Sequence, residues 1–189
     1  MPLGAARFGL SGADLGKLEL IETQTVSSAS RVNFVDFTSI KESTYNVHFL
    51  TVNNYANDTD NSILSIRFYE SGTIETASVY QAAYQEYYNN GTFSEFKSTG
   101  IDHIRIIENT GNATNETGQC YVYLYNLGDS SKYSFTTAQT SGIWTNGTYI
   151  GAFGSGVLPQ TSTVDGIRID TFNVSGAFSG TFSLYGIKE

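Results

Sequence analysis

The feature that most constrains the fold of this chain is a succession of short runs in which apolar and polar side chains alternate. The sharpest run covers residues 119–126, where Cys120, Val122 and Leu124 alternate with three tyrosines. Side chains on a β-strand point to opposite faces with a period of two, and no long window here repeats at the helical period of about 3.6 residues. The chain is therefore expected to be all-β.

Clusters of Gly, Ser, Asn and Asp, which are typical of tight turns, separate these runs. About ten strands are expected, at residues 18–25, 32–37, 45–52, 64–69, 74–84, 101–108, 119–126, 132–140, 167–173 and 178–187. Connections this short leave no room for crossovers, so most strands should be antiparallel. We expect a two-sheet β-sandwich that resembles a jelly roll. Loops are expected at residues 53–61 and 141–156, and residues 84–91 are compatible with one short helical turn.

The 189 residues fit one domain with an arm. Residues 17–189 are expected to form a single β-sandwich domain, and 13 Tyr, 12 Phe and 19 Gly suit pleated strands joined by tight turns. Residues 1–16 are small, rich in Gly and Ala, and unpatterned. We therefore expect an extended N-terminal arm that serves for attachment, with Phe8 and Leu10 as its candidate anchors.

The charge of the chain argues against two classes of partner. Its net charge is −8, and the ten Lys and Arg residues are spread singly along the sequence, whereas phosphate binding needs them clustered. We therefore expect neither nucleic acid nor an anionic membrane as a partner. No apolar run reaches the length of about 18 residues that spans a bilayer. The N-terminus lacks the apolar core of a signal peptide, so synthesis in a cytoplasm is expected.

Catalytic motifs are absent from the sequence, and no enzyme activity and no cofactor are expected. The two histidines, His48 and His103, fall within predicted strands and are interpreted as structural rather than as general bases. No nucleophile motif or phosphate-binding loop accompanies them. Cys120 is the single cysteine, and its place in an apolar pattern predicts a buried thiol.

One loop places oxygen-bearing side chains close together. Residues 57–61 read Asn-Asp-Thr-Asp-Asn, which offers carboxylate and amide oxygens of the kind that calcium prefers. The loop has no Gly at the bend and no Glu at the distance that an EF-hand requires. A polar loop with local Asx turns is therefore the favoured interpretation, and no metal is expected.

Aromatic side chains are the candidate binding residues. Tyr121, Tyr123 and Tyr125 should share one face of a strand, where they could form a subunit interface, pack within the subunit or contact a glycan. Trp144 and Tyr149 lie in the Gly-rich segment, and loops at the end of a sandwich often carry binding residues. For Trp144 a role in the core is an equally open alternative.

Four segments of the chain carry a resemblance to a known family. They read MPLGAARFGLSGADLGKLELIETQT at the start, YVYLYNLGDSSKYSF in the middle, and GVLPQTSTVDGIRI and GTFSLYGIK towards the end. Together they resemble small virion structural proteins of bacteriophages, best represented among marine cyanophages. The resemblance covers most of the chain and is weakest around residues 53–61 and 84–98.

The resemblance implies a non-enzymatic β-sandwich on the exterior surface of a virion, as a capsid decoration, a tail fibre or a host-binding knob. It also implies a homotrimer whose partners are other virion proteins, made in the cytoplasm of the host, with a host-surface glycan as a further partner. It does not distinguish head from tail. A free-standing carbohydrate-binding module or a receptor-binding adhesin is the alternative.

Overall fold

A computed structural model describes residues 17–172 and 176–188 of the chain. The predicted attachment arm at residues 1–16, with Phe8 and Leu10, lies outside the described residues. Within them the chain forms strands and no helix, so no helix there is long and apolar enough to cross a membrane. The all-β prediction is confirmed.

The described residues form thirteen strands where about ten were expected, numbered here in chain order. They are β1 (Lys17–Val26), β2 (Phe34–Phe37), β3 (Val47–Asn57), β4 (Ser62–Glu70), β5 (Thr73–Ile74), β6 (Tyr80–Tyr88), β7 (Phe93–Ile101), β8 (Ile104–Thr110), β9 (Gly118–Tyr125), β10 (Ser134–Ile143), β11 (Tyr149–Leu158), β12 (Val164–Thr171) and β13 (Phe178–Lys188).

Two antiparallel sheets share these strands, which confirms the predicted sandwich. The larger sheet has eight strands in the order β1-β13-β3-β9-β10-β11-β6-β7. The smaller sheet has the order β2-β12-β4-β5, and β8 also pairs with β4. Strand β8 packs in addition against the inner side of β10 and β11 in the larger sheet. The larger sheet therefore has one face on the core and one outer face.

The core lies between the two sheets and is made by the inward half of each alternating strand. On β9 the predicted inward residues Cys120, Val122 and Leu124 are buried, as expected. The largest fully buried side chains come from both sheets and from the loop after β2: Tyr55, Tyr80, Phe37, Phe68, Phe178, Phe182, Ile40, Leu50, Leu64, Ile66, Ile104 and Ile107. Burial of this apolar area is the main stabilising contribution to the fold.

Two segments predicted as irregular are strands in part. β3 continues through Asn53 and Asn54 to Asn57, because the register shifts between Val52 and Tyr55 and Asn54 adopts a φ of 54°. Asn tolerates this left-handed conformation better than most residues, so a β-bulge absorbs the two polar residues. Residues 84–91 hold no helical turn, since β6 runs to Tyr88 and then turns directly into β7.

The Gly-rich segment at residues 141–156 was predicted as a loop and is largely a hairpin. Gly147, with a φ of 77°, closes the turn between β10 and β11, and the Trp144 amide donates to the Thr148 carbonyl at 2.8 Å. Gly147 follows Asn146, a pairing typical of tight hairpin turns. Further along β11, a Cβ at Gly154 would meet the ring of Tyr84, so close packing explains a glycine inside the strand.

Candidate functional site

The outer face of the eight-stranded sheet is the candidate functional site, and strand alternation builds it. Along β9 the buried Val122 and Leu124 face the core, so Tyr121, Tyr123 and Tyr125 face outward. These three residues, called the tyrosine wall below, therefore share one face as the sequence predicts. Tyr121 is 41% exposed, and the other two are half-buried by their neighbours.

The strand register extends this face across the whole sheet, because opposite partners in an antiparallel pair lie side by side on the same face. A first row contains Leu18, Ile187, Val47, Tyr125, Phe135, Val157 and Gln81. A second row contains Leu20, Tyr185, Phe49, Tyr123, Thr137, Ser155, Ala83 and Lys97. A third row contains Thr23, Ser183, Thr51, Tyr121, Gln139, Phe153, Gln85 and Glu95.

Charge is missing from the middle of this face. Among the described residues, no outward side chain on the six central strands, from β13 to β6, belongs to Asp, Glu, Lys or Arg. Two charged residues of the rows, Glu95 and Lys97, stand on the edge strand β7 and pair with each other at 2.9 Å. The centre of the face thus offers aromatic rings, hydroxyls and amides without a net charge.

Ring contacts across β3 and β9 hold the tyrosine wall in place. The ring of Phe49 lies 4.9 Å from that of Tyr123 and 6.0 Å from that of Tyr121, measured between centroids. The ring centroids of Tyr123 and Tyr125 are 6.3 Å apart with an interplanar angle of 22°. These separations fall in the range of favourable aromatic pairs, so the rings support one another on an exposed surface.

A groove of about 760 Å³ runs beside the tyrosine wall. It exists because the second row changes from the large Tyr123 to the small Thr137, Ser155 and Ala83 before it reaches Lys97. The small side chains form the floor, and larger ones on the flanking strands form the walls. A volume of this size is typical of sites for small organic ligands.

Two further depressions continue the groove along the same face. One, of about 560 Å³, shares Ala83, Lys97 and Ser155 with it. The other, of about 480 Å³, shares Tyr121 and Gln139 with it. The concave surface therefore extends beyond a single ligand-sized pocket. It could accommodate a chain-like molecule that lies across the sheet.

The two remaining aromatic candidates occupy different places. Tyr149 is 38% exposed, borders the 480 Å³ depression and lies with its ring centroid 6.4 Å from that of Tyr87. Trp144 is half-buried, stands 5.6 Å from the ring of Tyr88 and donates its indole N–H to Asn61 at 3.1 Å. The structure thus brings Tyr149 next to the tyrosine wall and keeps Trp144 away from the groove.

Buried charges cluster beneath the opposite side of the sheet. Glu108 on β8 is 2% exposed, and Arg105 donates to it at 3.3 Å. Burial raises the pKa of Glu108 to about 7, and the nearby Glu86 adds to the shift while Arg105 opposes it. Tyr88 donates to Glu86 at 2.7 Å, and the Arg105 guanidinium lies 3.8 Å above the ring of Phe96. The buried carboxylates of this cluster lie on the core side of the sheet, and Phe96 also lines the groove.

Both histidines are buried. His48 lies in β3 and donates from Nε2 to the Ile40 carbonyl at 2.7 Å, whereas His103 lies between β7 and β8 rather than inside a strand. His103 donates from Nδ1 to Asp102 at 2.7 Å and stacks on Phe172 with a centroid distance of 3.6 Å. Burial lowers the pKa of both imidazoles.

The loop at residues 57–61, which the sequence suggested as either a calcium site or a polar loop, makes hydrogen bonds within the chain. Asn57 accepts from the Thr59 amide at 2.8 Å, which is an Asx turn, and Asp60 accepts from the Asn112 amide at 3.0 Å. In the part of the chain that the structure describes, no group of three or more His, Cys, Asp and Glu side chains is arranged to hold a metal ion. Cys120 is buried, as predicted, and burial raises the pKa of its thiol.

Several residues of the groove were not singled out by the sequence patterns. The floor residues Thr137 and Ser155, with Gln139 and Phe153, come from β10 and β11. One sequence signal marks them, because residues 133–164 contain no Asp, Glu, Lys, Arg or His. An uncharged stretch of this length in an acidic chain indicates that both of its faces avoid charge.

Comparisons of the chain with protein-family models, with curated proteins and with solved structures give no match.

Proposed function

We propose that this chain is a non-enzymatic binding protein of the exterior of a bacteriophage particle, and that the outer face of its eight-stranded sheet is the contact surface. One observation carries the proposal: the outward side chains of six neighbouring strands are uncharged, although 15% of the chain is charged. Depletion of charge together with enrichment of Tyr and Phe is the composition of the centre of a binding interface.

The chemistry of the groove favours binding over cleavage. Glycoside hydrolysis needs two carboxyl groups that flank the scissile bond. Among the described residues that line the groove, Glu95 supplies one carboxylate, and Lys97 already pairs with it. We therefore do not propose that the groove hydrolyses a bound sugar chain.

From the sequence resemblance we propose that the chain lies on the exterior of a virion, contacts other virion proteins and forms a homotrimer. An edge strand supports self-association. Within the described residues β1 pairs on one side only, with β13, and its Leu18 and Leu20 are 47% and 57% exposed. An open apolar edge of this kind tends to be covered by another chain.

A free-standing carbohydrate-binding module is the second candidate, and the groove favours it as well.

Purified phage particles that encode the chain provide the test. Gold-labelled antibody against the chain should decorate gradient-purified particles in the electron microscope, either over the head or at the tail. Particles that carry no label and no peptide of this chain by mass spectrometry would contradict the virion proposal.

A pair of substitutions then tests the outer face. Thr137→Lys puts a cation on the groove floor and should reduce incorporation of the chain into particles or attachment of the particles to host cells. Thr38→Lys makes the same change at an exposed position after β2, away from the groove, and should leave both unchanged. Equal behaviour of the two variants would mean that the outer face is not the contact surface.

A further inference from the structure

The groove combines flat aromatic surfaces with neutral hydrogen-bonding groups. Tyr121 and Phe153 stand on either side of Gln139 in the third row, and Phe153 is 55% exposed. An aromatic ring offers an apolar plane to the C–H face of a sugar ring, while nearby amides and hydroxyls bind the hydroxyl groups at its edge. The lining therefore matches a ligand that is apolar on its faces and polar at its rim.

The polar groups of the groove are held in position before any ligand arrives. The Tyr121 hydroxyl donates to the amide oxygen of Gln139, and this bond does not use the amide N–H groups of Gln139. The hydroxyls of Tyr125 and Thr137 share a hydrogen bond of 3.2 Å. Groups that are fixed in the unbound protein lose less conformational entropy on binding.

The charge of the groove restricts the ligand further. Lys97 is the one cation of the described lining, and it is paired with Glu95. An acidic polysaccharide or a nucleic acid would bring many negative charges to a protein of net charge −8 with no clustered cation to receive them. A ligand without charge meets no such penalty.

The shape of the groove argues against a two-fold dimer formed through this face. In a two-fold interface the same surface meets itself, so the groove of one copy would face the groove of the other. The floor of small residues would then enclose empty or water-filled space between the two copies instead of packing. A slender chain that lies along the groove and its neighbouring depressions fills the same space directly.

From these observations we infer that the groove binds a neutral polysaccharide. Sugar rings of the polysaccharide stack on the tyrosine wall and on Phe153, and its hydroxyl groups bond to Gln139 and Thr137. This inference rests on the proposed function and names the ligand of its contact surface. On a virion exterior such a ligand would be an uncharged glycan of the host envelope.

Affinity electrophoresis of the purified full chain tests the inference. Gels contain dextran, soluble starch, galactomannan or xylan as neutral polysaccharides, and polygalacturonate as the acidic one. We expect at least one neutral polysaccharide to retard the chain and polygalacturonate to leave its mobility unchanged. No retardation by any of the neutral polysaccharides, or retardation by polygalacturonate alone, would overturn the inference.

A matched pair of variants assigns the binding to the groove. Tyr121→Ala should weaken the binding by at least about tenfold, as expected for an aromatic residue at the centre of an interface. Tyr133→Ala removes a tyrosine of similar exposure, 45%, that does not line the groove, and should bind as the wild type does. Circular dichroism of both variants shows whether the fold is kept. Equal affinities of the two folded variants would place the site elsewhere and overturn the inference.

The two proposals fail in different ways. If Thr137→Lys impairs incorporation or attachment while no neutral polysaccharide binds, the outer face contacts a protein, and the glycan inference alone is wrong. If the chain binds a neutral polysaccharide but is absent from phage particles, the glycan inference stands, and the chain is a free-standing carbohydrate-binding module.

Discussion

Phe49 and Tyr123 lie directly opposite each other on β3 and β9, with their ring centroids 4.9 Å apart. Phe49 is also 6.0 Å from Tyr121 and 6.3 Å from Tyr185, so one phenylalanine contacts three tyrosines of the outer face. The tyrosine wall is therefore a packed layer rather than a set of independent side chains. A substitution at Phe49 should therefore change both the stability of the tyrosine wall and the binding of a ligand to it.

A double-mutant cycle measures the coupling in this layer. Phe49→Leu and Tyr123→Leu keep apolar bulk and remove the ring contact, so the two changes should couple by about 0.5–1.5 kcal/mol in the free energy of unfolding. Urea denaturation of the wild type, both single variants and the double variant gives this number. Simple additivity of the two single changes would mean that the rings touch without stabilising each other.

The pairing of β2 with β12 should depend on one ion pair. Arg168 stands opposite Asp36 and donates to it twice, at 2.8 and 2.7 Å, and Tyr69 donates to the same carboxylate at 3.0 Å. Asp36→Asn removes the charge from these bonds and should lower the free energy of unfolding by about 1–3 kcal/mol.

Urea denaturation checks the effect of Asp36→Asn, and a second ion pair serves as control. Glu95 and Lys97 are 68% and 78% exposed in their side chains, so Glu95→Gln should not change the midpoint measurably. A midpoint for Asp36→Asn that equals that of Glu95→Gln would show that the Arg168 pair contributes no stability.

Glu108 should make the stability of the protein depend on pH. In the folded state its pKa is raised by burial to about 7, against 4.5 for an ordinary glutamate. Between these two pH values the folded chain holds a proton that the unfolded chain has released. The contribution of Glu108 is therefore fully present below pH 4.5 and is lost as the pH rises to 7, by an amount of about 3 kcal/mol.

Glu108→Gln isolates this contribution. The variant keeps an acceptor for Arg105 and cannot ionise, so its stability relative to the wild type should increase between pH 4.5 and 7. His48 and His103, whose pKa values are lowered, act in the opposite direction over this range, but they are common to both proteins and cancel in the difference. A difference that stays constant with pH would mean that Glu108 ionises normally in the folded state.

Local patterns predicted the regular strands and missed those whose regularity depends on distant contacts. The alternation around β9 indicated both the strand and the direction of its tyrosines, because a period of two is a property of the strand alone. The extension of β3 across Asn54 needs its neighbours β9 and β13, whose pairing tolerates a bulge there. The strand character of β11 needs Tyr84 and Tyr87, which fill the space that its glycines leave.

The groove could be predicted only in part for the same reason. Tyr121, Tyr123 and Tyr125 were visible as candidates because they are neighbours along one strand. The floor joins Thr137 on β10, Ser155 on β11 and Ala83 on β6, and the pairing of β11 with β6 brings together residues about seventy positions apart. No local pattern encodes that pairing, since it follows from how the two sheets close over the core.

Because side chains alternate between the outer face and the core, residues of the outer face can be exchanged without changing the residues that pack in the core. Thr137 lies between Thr136 and Ala138, which pack inward, so replacing Thr137 leaves the core side of β10 as it is. The same holds for each floor position on its own strand. Related chains, or designed ones, could therefore acquire preferences for differently shaped molecules through a few exchanges on one surface, while the interior that keeps the sandwich folded stays untouched.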